Sequence, residues 1–439
     1  MKIDKKSNEY YRSLSKKLIP GGNSLLSKRS EMFSPGMWPG YFEKALGISV
    51  TDLNGATYKD FTHFSAGTCV LGYAHPEVNE AAIRVIRSGT MSTLNSYEEV
   101  ELAAKLIEMH SGMQMVKFAK TGGEANAISV RLARNYTGKN KIAFCGYHGW
   151  HDWYLSANLN NRDNLDGQLM SGLSPRGVPI GLTGSSVPFM YGDIDQLQKI
   201  LNEGDIAAVK VETMRSQYPD PTYLLTLRKL CDQYGALLIF DECTSGFRES
   251  FGAFYLNYDA KPDLVVLGKT IANGFPLTTV LGTAPVMNAA QNTFISSTFF
   301  TDRIGFATAL KALEVMQREH TWQTLKMIGG YFKSGLINIF ADSNIEIELT
   351  GMDALPVWSY KGEQGNAIKT LITEKMLGYG YLFGSAFYPT SAHKTFDIDE
   401  CLAALKTVVG EIEPYFEDAD KLSSMLHNGE AHMGFKRLN

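Results

Sequence analysis

Lys269 and Asp241 each stand directly beyond a short apolar run. Lys269 follows Leu264–Leu267 and Gly268, and Asp241 follows Leu237-Leu238-Ile239-Phe240. A partly desolvated lysine amine sheds its proton more readily and becomes nucleophilic toward carbonyls. A carboxylate at the end of an apolar run must be paired or hydrogen-bonded if it is buried. Runs of this kind read as buried parallel strands, and ligands of open parallel sheets bind beyond the strands' carboxyl ends. The same rule collects Glu212 after Ala207–Val211, and Tyr147 with His148 after Ile142–Cys145. It also collects the loop Lys120-Thr121-Gly122-Gly123 after Met115–Ala119. Each residue alone has a plain structural reading. Lys269 could be a solvated strand end, Asp241 a cap or ion pair, Tyr147 a core aromatic and Glu212 a packing partner. Their convergence on one sheet edge is what suggests a site.

The glycine pair Gly122-Gly123 opens an expected helix, Glu124–Tyr136, with Ala125, Ile128, Leu132 and Tyr136 on one face. Backbone N–H groups and the helix dipole there favour an anion such as a phosphate, although the same residues could form only a tight turn. Leu267-Gly268-Lys269-Thr270 superficially matches the end of a nucleotide-binding P-loop. That motif needs a glycine where Asp263 stands, and the preceding residues are strand, so the reading fails. A lysine able to condense with an aldehyde, a phosphate cradle and a carboxylate able to keep a pyridine nitrogen protonated together suit pyridoxal 5'-phosphate. A nicotinamide dehydrogenase is disfavoured, because no GxGxxG follows a strand near the start of the sheet.

The elements that must position these residues follow from hydrophobic patterning. The segment up to about Tyr73 is mixed, with a hairpin expected around Asn54-Gly55 between Ile48–Leu53 and Ala56–Phe61. From His75 helices and apolar strands alternate, which argues for βαβ units and a doubly wound sheet. Pro76 suits a first helical turn, and Ser96-Tyr97-Glu98-Glu99 reads as a capping box for a helix through Met109. After Arg303 a long helical region reaches about Ala341. Strands at Ile345–Leu349 and Leu355–Ser359, a helix over Asn366–Leu377, a strand at Tyr381–Phe383 and a helix over Asp397–Phe416 follow. The expected division is residues 1–73 with 304–439 in a small domain, and 74–303 in a large one.

Composition narrows the function class. The chain has 439 residues, 44% of them hydrophobic, and a net charge of −4, which gives no support for nucleic-acid or membrane-surface binding. Its five scattered cysteines lack metal-ligand spacing, so no metal is expected and the thiols read as reduced. The polar start, Met1-Lys2-Ile3-Asp4-Lys5-Lys6, lacks the apolar centre of a signal peptide, and no run approaches a membrane span. A cytoplasmic protein is expected.

Taken in order, the motifs resemble the class III pyridoxal-phosphate-dependent aminotransferases. Within them they are most similar to the glutamate-1-semialdehyde 2,1-aminomutases. The segments that carry the likeness are Ile19-Pro20-Gly21-Gly22-Asn23-Ser24, Leu71-Gly72-Tyr73-Ala74-His75-Pro76, Thr121-Gly122-Gly123-Glu124-Ala125 and Tyr147-His148-Gly149. Asp241 through Arg248 and Pro262 through Lys269 complete it. The resemblance implies fold type I: a mostly parallel seven-stranded sheet flanked by helices, plus a smaller α+β domain. It implies that Lys269 holds the cofactor as a Schiff base and later moves a proton, and that Asp241 pairs with the pyridinium. Tyr147 and Cys243 would cover the two ring faces, Gly122 and Gly123 would hold the phosphate, and Glu212 would lie near the cofactor. Thr298 would reach the cofactor of a neighbouring subunit, implying a homodimer. The partners implied are a small-molecule amino donor and a carbonyl acceptor.

The departures fall mainly on substrate positions. Gly123 stands where the family has Ser or Thr, Ala66 where the aminomutases have tryptophan, and Tyr388 where they have glutamate. Lys28 and Arg29 are shifted from the expected carboxylate-reading arginine, and Phe299–Arg303 replaces a Gly-Asn-Pro sequence. The expectation is an aminotransferase for a non-standard aldehyde or ketone, with glutamate as donor. The intramolecular aminomutase is the alternative, and a silent scaffold is disfavoured by retention of both Lys269 and Asp241.

Overall fold

The computed structural model describes residues 7–168, 171–214 and 216–434; the polar start, 1–6, and the end of the tail, 435–439, lie outside them. The chain divides into two compact units, Pro76–Gln323 and the remainder on either side of it. Strands in chain order are β1 (Phe42–Leu46), β2 (Ser49–Asp52), β3 (Thr57–Phe61), β4 (Met115–Ala119) and β5 (Lys141–Cys145). Then come β6 (Ser186–Pro188), β7 (Ile206–Glu212), β8 (Leu237–Asp241), β9 (Leu264–Leu267) and β10 (Thr278–Gly282). The last three are β11 (Ile347–Thr350), β12 (Val357–Tyr360) and β13 (Tyr381–Phe383).

The larger unit is built on a seven-stranded sheet of order β4-β10-β9-β8-β7-β5-β6. β6, β5, β7, β8 and β9 pair in parallel, while β10 runs antiparallel to both β9 and β4. β4 therefore points the same way as β9, and its carboxyl end stays on the functional edge. β7, β8, β9 and β10 are buried at every position, as strands covered on both faces must be. The helix Gly122–Thr137 packs on this sheet through Ala125, Ile128 and Leu132, against Phe144, Ile239 and Val266. Tyr136, expected on the same face, is instead exposed in its last turn.

The capping expectation at Ser96 is corrected. Its hydroxyl donates to Glu98 Oε2 at 2.7 Å instead of capping the helix Tyr97–Met109. The reciprocal capping box lies at the helix Gly122–Thr137. There Thr121 Oγ1 accepts from Glu124 N–H, and Glu124 Oε2 accepts from Thr121 N–H at 2.8 Å.

The domain boundary also moves, from 303/304 to 323/324. The helix Arg303–Glu319 packs on the helices Pro76–Ser88 and Tyr97–Met109 of the larger unit. Arg303 clamps Glu98 there through two 2.8 Å hydrogen bonds. The smaller unit pairs β1, β2, β3 and β13 in one sheet, with β3 and β13 parallel, and β11 with β12 in another. Phe61, Phe332, Trp358, Phe383 and Phe387 form its core. The expected hairpin turn at Asn54-Gly55 joins β2 to β3. Among the described residues no helix is long and apolar enough to cross a membrane.

Candidate active site

Asp241 is the last residue of β8 and is 1% exposed. Its Oδ2 lies 2.7 Å from His148 Nδ1, and its Oδ1 accepts the Cys243 N–H at 3.0 Å. Burial by itself would raise its pKa. The His148 hydrogen bond, the nearby Lys210 ammonium and the Cys243 N–H outweigh burial and hold the carboxyl well below the usual carboxylate range. His148 is itself buried, and its other ring nitrogen faces the Cys145 carbonyl at 3.1 Å. The sheet end thus holds a buried carboxylate that its partners keep ionised.

One residue beyond Gly268, Lys269 opens the short turn Lys269–Ala272 with φ +41°. A non-glycine residue is strained in that region, a feature concentrated at functional sites. Lys269 Nζ donates to Thr244 Oγ1 at 2.9 Å, and Thr244 in turn donates to Glu212 Oε1 at 3.2 Å. Glu212 Oε2 accepts the Tyr147 N–H at 2.9 Å. The structure therefore links Lys269, Thr244, Glu212 and Tyr147 in one hydrogen-bonded chain. Gly146, at φ +109°, is needed beside it: a Cβ there would lie 2.7 Å from Glu212 Oε2.

Gly122, Cys243 and Gly268 meet at the floor of the same region. A Cβ on Gly122 would lie 3.6 Å from Cys243 Sγ, and one on Gly268 would lie 3.1 Å from it. Burial and the Asp241 charge push the Cys243 thiol well up, so it stays protonated and serves as apolar surface. At the start of the helix Gly122–Thr137 the Thr121 side chain takes the Glu124 N–H, whereas those of Gly122 and Gly123 have no acceptor within the helix. Of the residues singled out by sequence, Asp241, Lys269, Glu212, Tyr147, Cys243, Gly122 and Gly123 lie in the larger unit at this edge. Thr298 is exposed in the turn Thr298–Thr301.

Three side chains escaped the sequence reading. Thr244 connects Lys269 to Glu212. Lys210, fully buried within β7, donates to Ser129 Oγ at 3.2 Å, and burial lowers its pKa. The signal for Lys210 was a lone charge inside Ala207–Val211. His151, beside Gly123, had no comparable signal.

A family profile described as Aminotransferase class-III matches residues 35–407. The chain belongs to the class III aminotransferases. It is 33% identical over 369 residues to a 3-aminobutyryl-CoA aminotransferase of Cloacimonas acidaminovorans, covering 82% of this chain and 84% of that one. A glutamate-1-semialdehyde 2,1-aminomutase of Heliobacterium modesticaldum is 35% identical over 334 residues, covering 73% and 74%. A solved structure of the PLP internal aldimine form of the FumI protein of Sphingopyxis sp. MTA144 superposes with a TM-score of 0.85. It is 24% identical, with 96% and 98% of the two chains covered, and shows the shared fold.

This class III chain is accordingly an enzyme of a pyridoxal-phosphate family. The residues present fit that cofactor. Helix-start N–H groups at Gly122 and Gly123 suit a phosphate, a buried ionised carboxylate suits a pyridinium, and the Lys269 amine suits an aldehyde.

Proposed function

We propose that the chain is an intermolecular aminotransferase, taking an amino group from a donor such as glutamate and passing it to a separate aldehyde or ketone. Bound at this edge, pyridoxal phosphate supplies an aldehyde that condenses with amines and a ring that draws electrons from the adjoining carbon. Lys269 would be the amine that holds the cofactor, and its Nζ, hydrogen-bonded to Thr244, would be placed to accept and return a proton. Asp241 holds a proton on the pyridine nitrogen. Its own low proton affinity, set by His148 and Lys210, keeps it anionic while it does so. Tyr147 and Cys243 would cover the two ring faces, and Gly122 and Gly123 would receive the phosphate. Glu212 fixes Thr244 and the Tyr147 backbone. Thr298, exposed on the larger unit, serves a second copy of the chain in a homodimer.

The observation that carries this reading is the contrast between the retained Lys269–Asp241 apparatus and the altered substrate positions. In the smaller unit Ala66 replaces the aminomutases' tryptophan and sits at φ +57°, in a left-handed run with Phe64 and Ser65. Tyr388 replaces their glutamate and packs with Ile48, Phe64 and Cys69. Ala66 lacks the tryptophan's ring, and Tyr388 supplies no carboxylate. The 3-aminobutyryl-CoA aminotransferase relative, 33% identical over 82% of this chain, is in keeping with the same reading.

Mixing the cofactor-loaded protein with glutamate tests it. Conversion of the yellow lysine-bound absorbance to that of the amine form, with release of 2-oxoglutarate, is expected. A cofactor unchanged by glutamate would remove it as donor. Turnover of glutamate 1-semialdehyde to 5-aminolevulinate without a second substrate would establish the aminomutase instead.

A further inference from the structure

Residue 123 opens a helix at an anion-ready turn yet carries no side chain, and the space a side chain would take is already filled. A Cβ built on Gly123 would lie 2.6 Å from Cε1 and 2.7 Å from Nδ1 of His151. The backbone at Gly149, φ +104°, also closes in, since a Cβ there would lie 2.9 Å from Gly123 Cα. The turn Gly146–His151 and the loop Thr121–Gly123 are therefore packed backbone to backbone, and glycine at 123 and histidine at 151 are sterically coupled.

The imidazole does more than fill space. His151 Nδ1 is buried and has no hydrogen-bond partner among the described residues. Trp150, itself exposed, stacks on the ring with centroids 4.7 Å apart and planes 26° from parallel. The stack holds Nδ1 against the helix start. A buried, idle ring nitrogen costs free energy unless something binds it, and the neighbouring N–H groups of Gly122 and Gly123 recruit an anion to the same place.

We infer that His151 is a positioning residue for the cofactor phosphate, donating Nδ1–H to a phosphate oxygen where residue 123 has no hydroxyl to offer. The inference rests on the reading that Gly122 and Gly123 receive the phosphate. Trp150 fixes the ring plane, and Gly123 is small so that the imidazole can reach the anion.

The test compares pyridoxal phosphate with pyridoxal, which lacks the phosphate, on the full-length protein stripped of cofactor and titrated back. His151→Ala is expected to weaken pyridoxal phosphate binding about ten-fold and leave pyridoxal unchanged, the effect of one hydrogen bond to a charged group. It is also expected to shift the ³¹P resonance of the bound cofactor. The double variant Gly123→Ser/His151→Ala, which puts a hydroxyl into the vacated space, should recover the affinity to within about three-fold. Gly123→Ser alone should lose it, because the ring is displaced. Equal weakening of both ligands by His151→Ala, or an unmoved ³¹P resonance, would show that His151 only packs and would overturn the inference while sparing the phosphate site. A wild-type protein that binds pyridoxal phosphate no tighter than pyridoxal would instead remove the phosphate site, and the inference with it.

Discussion

At Asp241 burial and pairing pull in opposite directions, and pairing wins. A carboxylate this deep would take up a proton if left alone, but His148 at 2.7 Å, the Cys243 N–H and the Lys210 charge keep it ionised. That is the state needed to hold a proton on a pyridine nitrogen. Asp241→Asn keeps the shape and removes the charge. It is expected to slow the glutamate half-reaction by about 10²-fold or more, the scale of losing one preorganised electrostatic contact. Stopped-flow rates with saturating donor measure this, and a loss confined to KM would point to a binding role instead. Thr244 shows what single-residue reading misses. It lies inside the run Asp241–Arg248, but only the fold reveals that its hydroxyl joins Lys269 to Glu212.

At the scale of elements, the site depends on which strand ends share an edge. β5, β7, β8 and β9 were legible as apolar runs because parallel strands covered on both faces leave little room for polar residues. β10 was not. It begins with two threonines, ends in glycine and is the one strand of its sheet that runs against the rest, so its pattern lacks the unbroken apolar signature. The capping box was placed one helix too early, because Ser96 and Thr121 both stand three residues before a glutamate, Glu99 and Glu124, and the Ser96 hydroxyl is drawn to Glu98 instead of to the helix start. Glu98, beside Ser96, is taken by Arg303. Burial opposes its charge, but the Arg303 and Ser96 hydrogen bonds lower its pKa to about 2. That clamp docks the helix Arg303–Glu319 into the larger unit and explains why the domain break comes after it. Arg303→Ala leaves Glu98 buried with only the more distant Arg84 guanidinium, 3.8 Å away, beside it. The expected cost is about 2–3 kcal/mol, read as a lower urea midpoint at unchanged slope. A loss below about 0.5 kcal/mol would mean that apolar packing alone docks the helix.

At the scale of the molecule, each unit contains one buried histidine that resists protonation. His110 in the larger unit and His393 in the smaller are each lowered by burial to about 4. In the unfolded chain such groups take up protons near pH 6.5. Between about pH 6.5 and 4 the unfolded state therefore binds more protons, and stability falls as pH drops through that window, then levels off. Each histidine contributes up to roughly 3 kcal/mol of this loss. His110→Gln should make the acid limb of the denaturation curve shallower, whereas an unchanged limb would assign the effect to other groups. The α/β class was visible in the order of helices and strands. The boundary was not, because a long helical stretch gives no sign in its periodicity of which unit it serves.

In the proposed function Lys269 carries the cofactor beside Asp241. Borohydride reduction of the cofactor-loaded protein, followed by peptide mass mapping, tests it most directly. The adduct is predicted on Lys269 alone, and Lys269→Ala should abolish it while the cofactor still binds reversibly. An adduct on another lysine, such as the buried Lys210, or none at all on the yellow wild-type protein, would contradict the account.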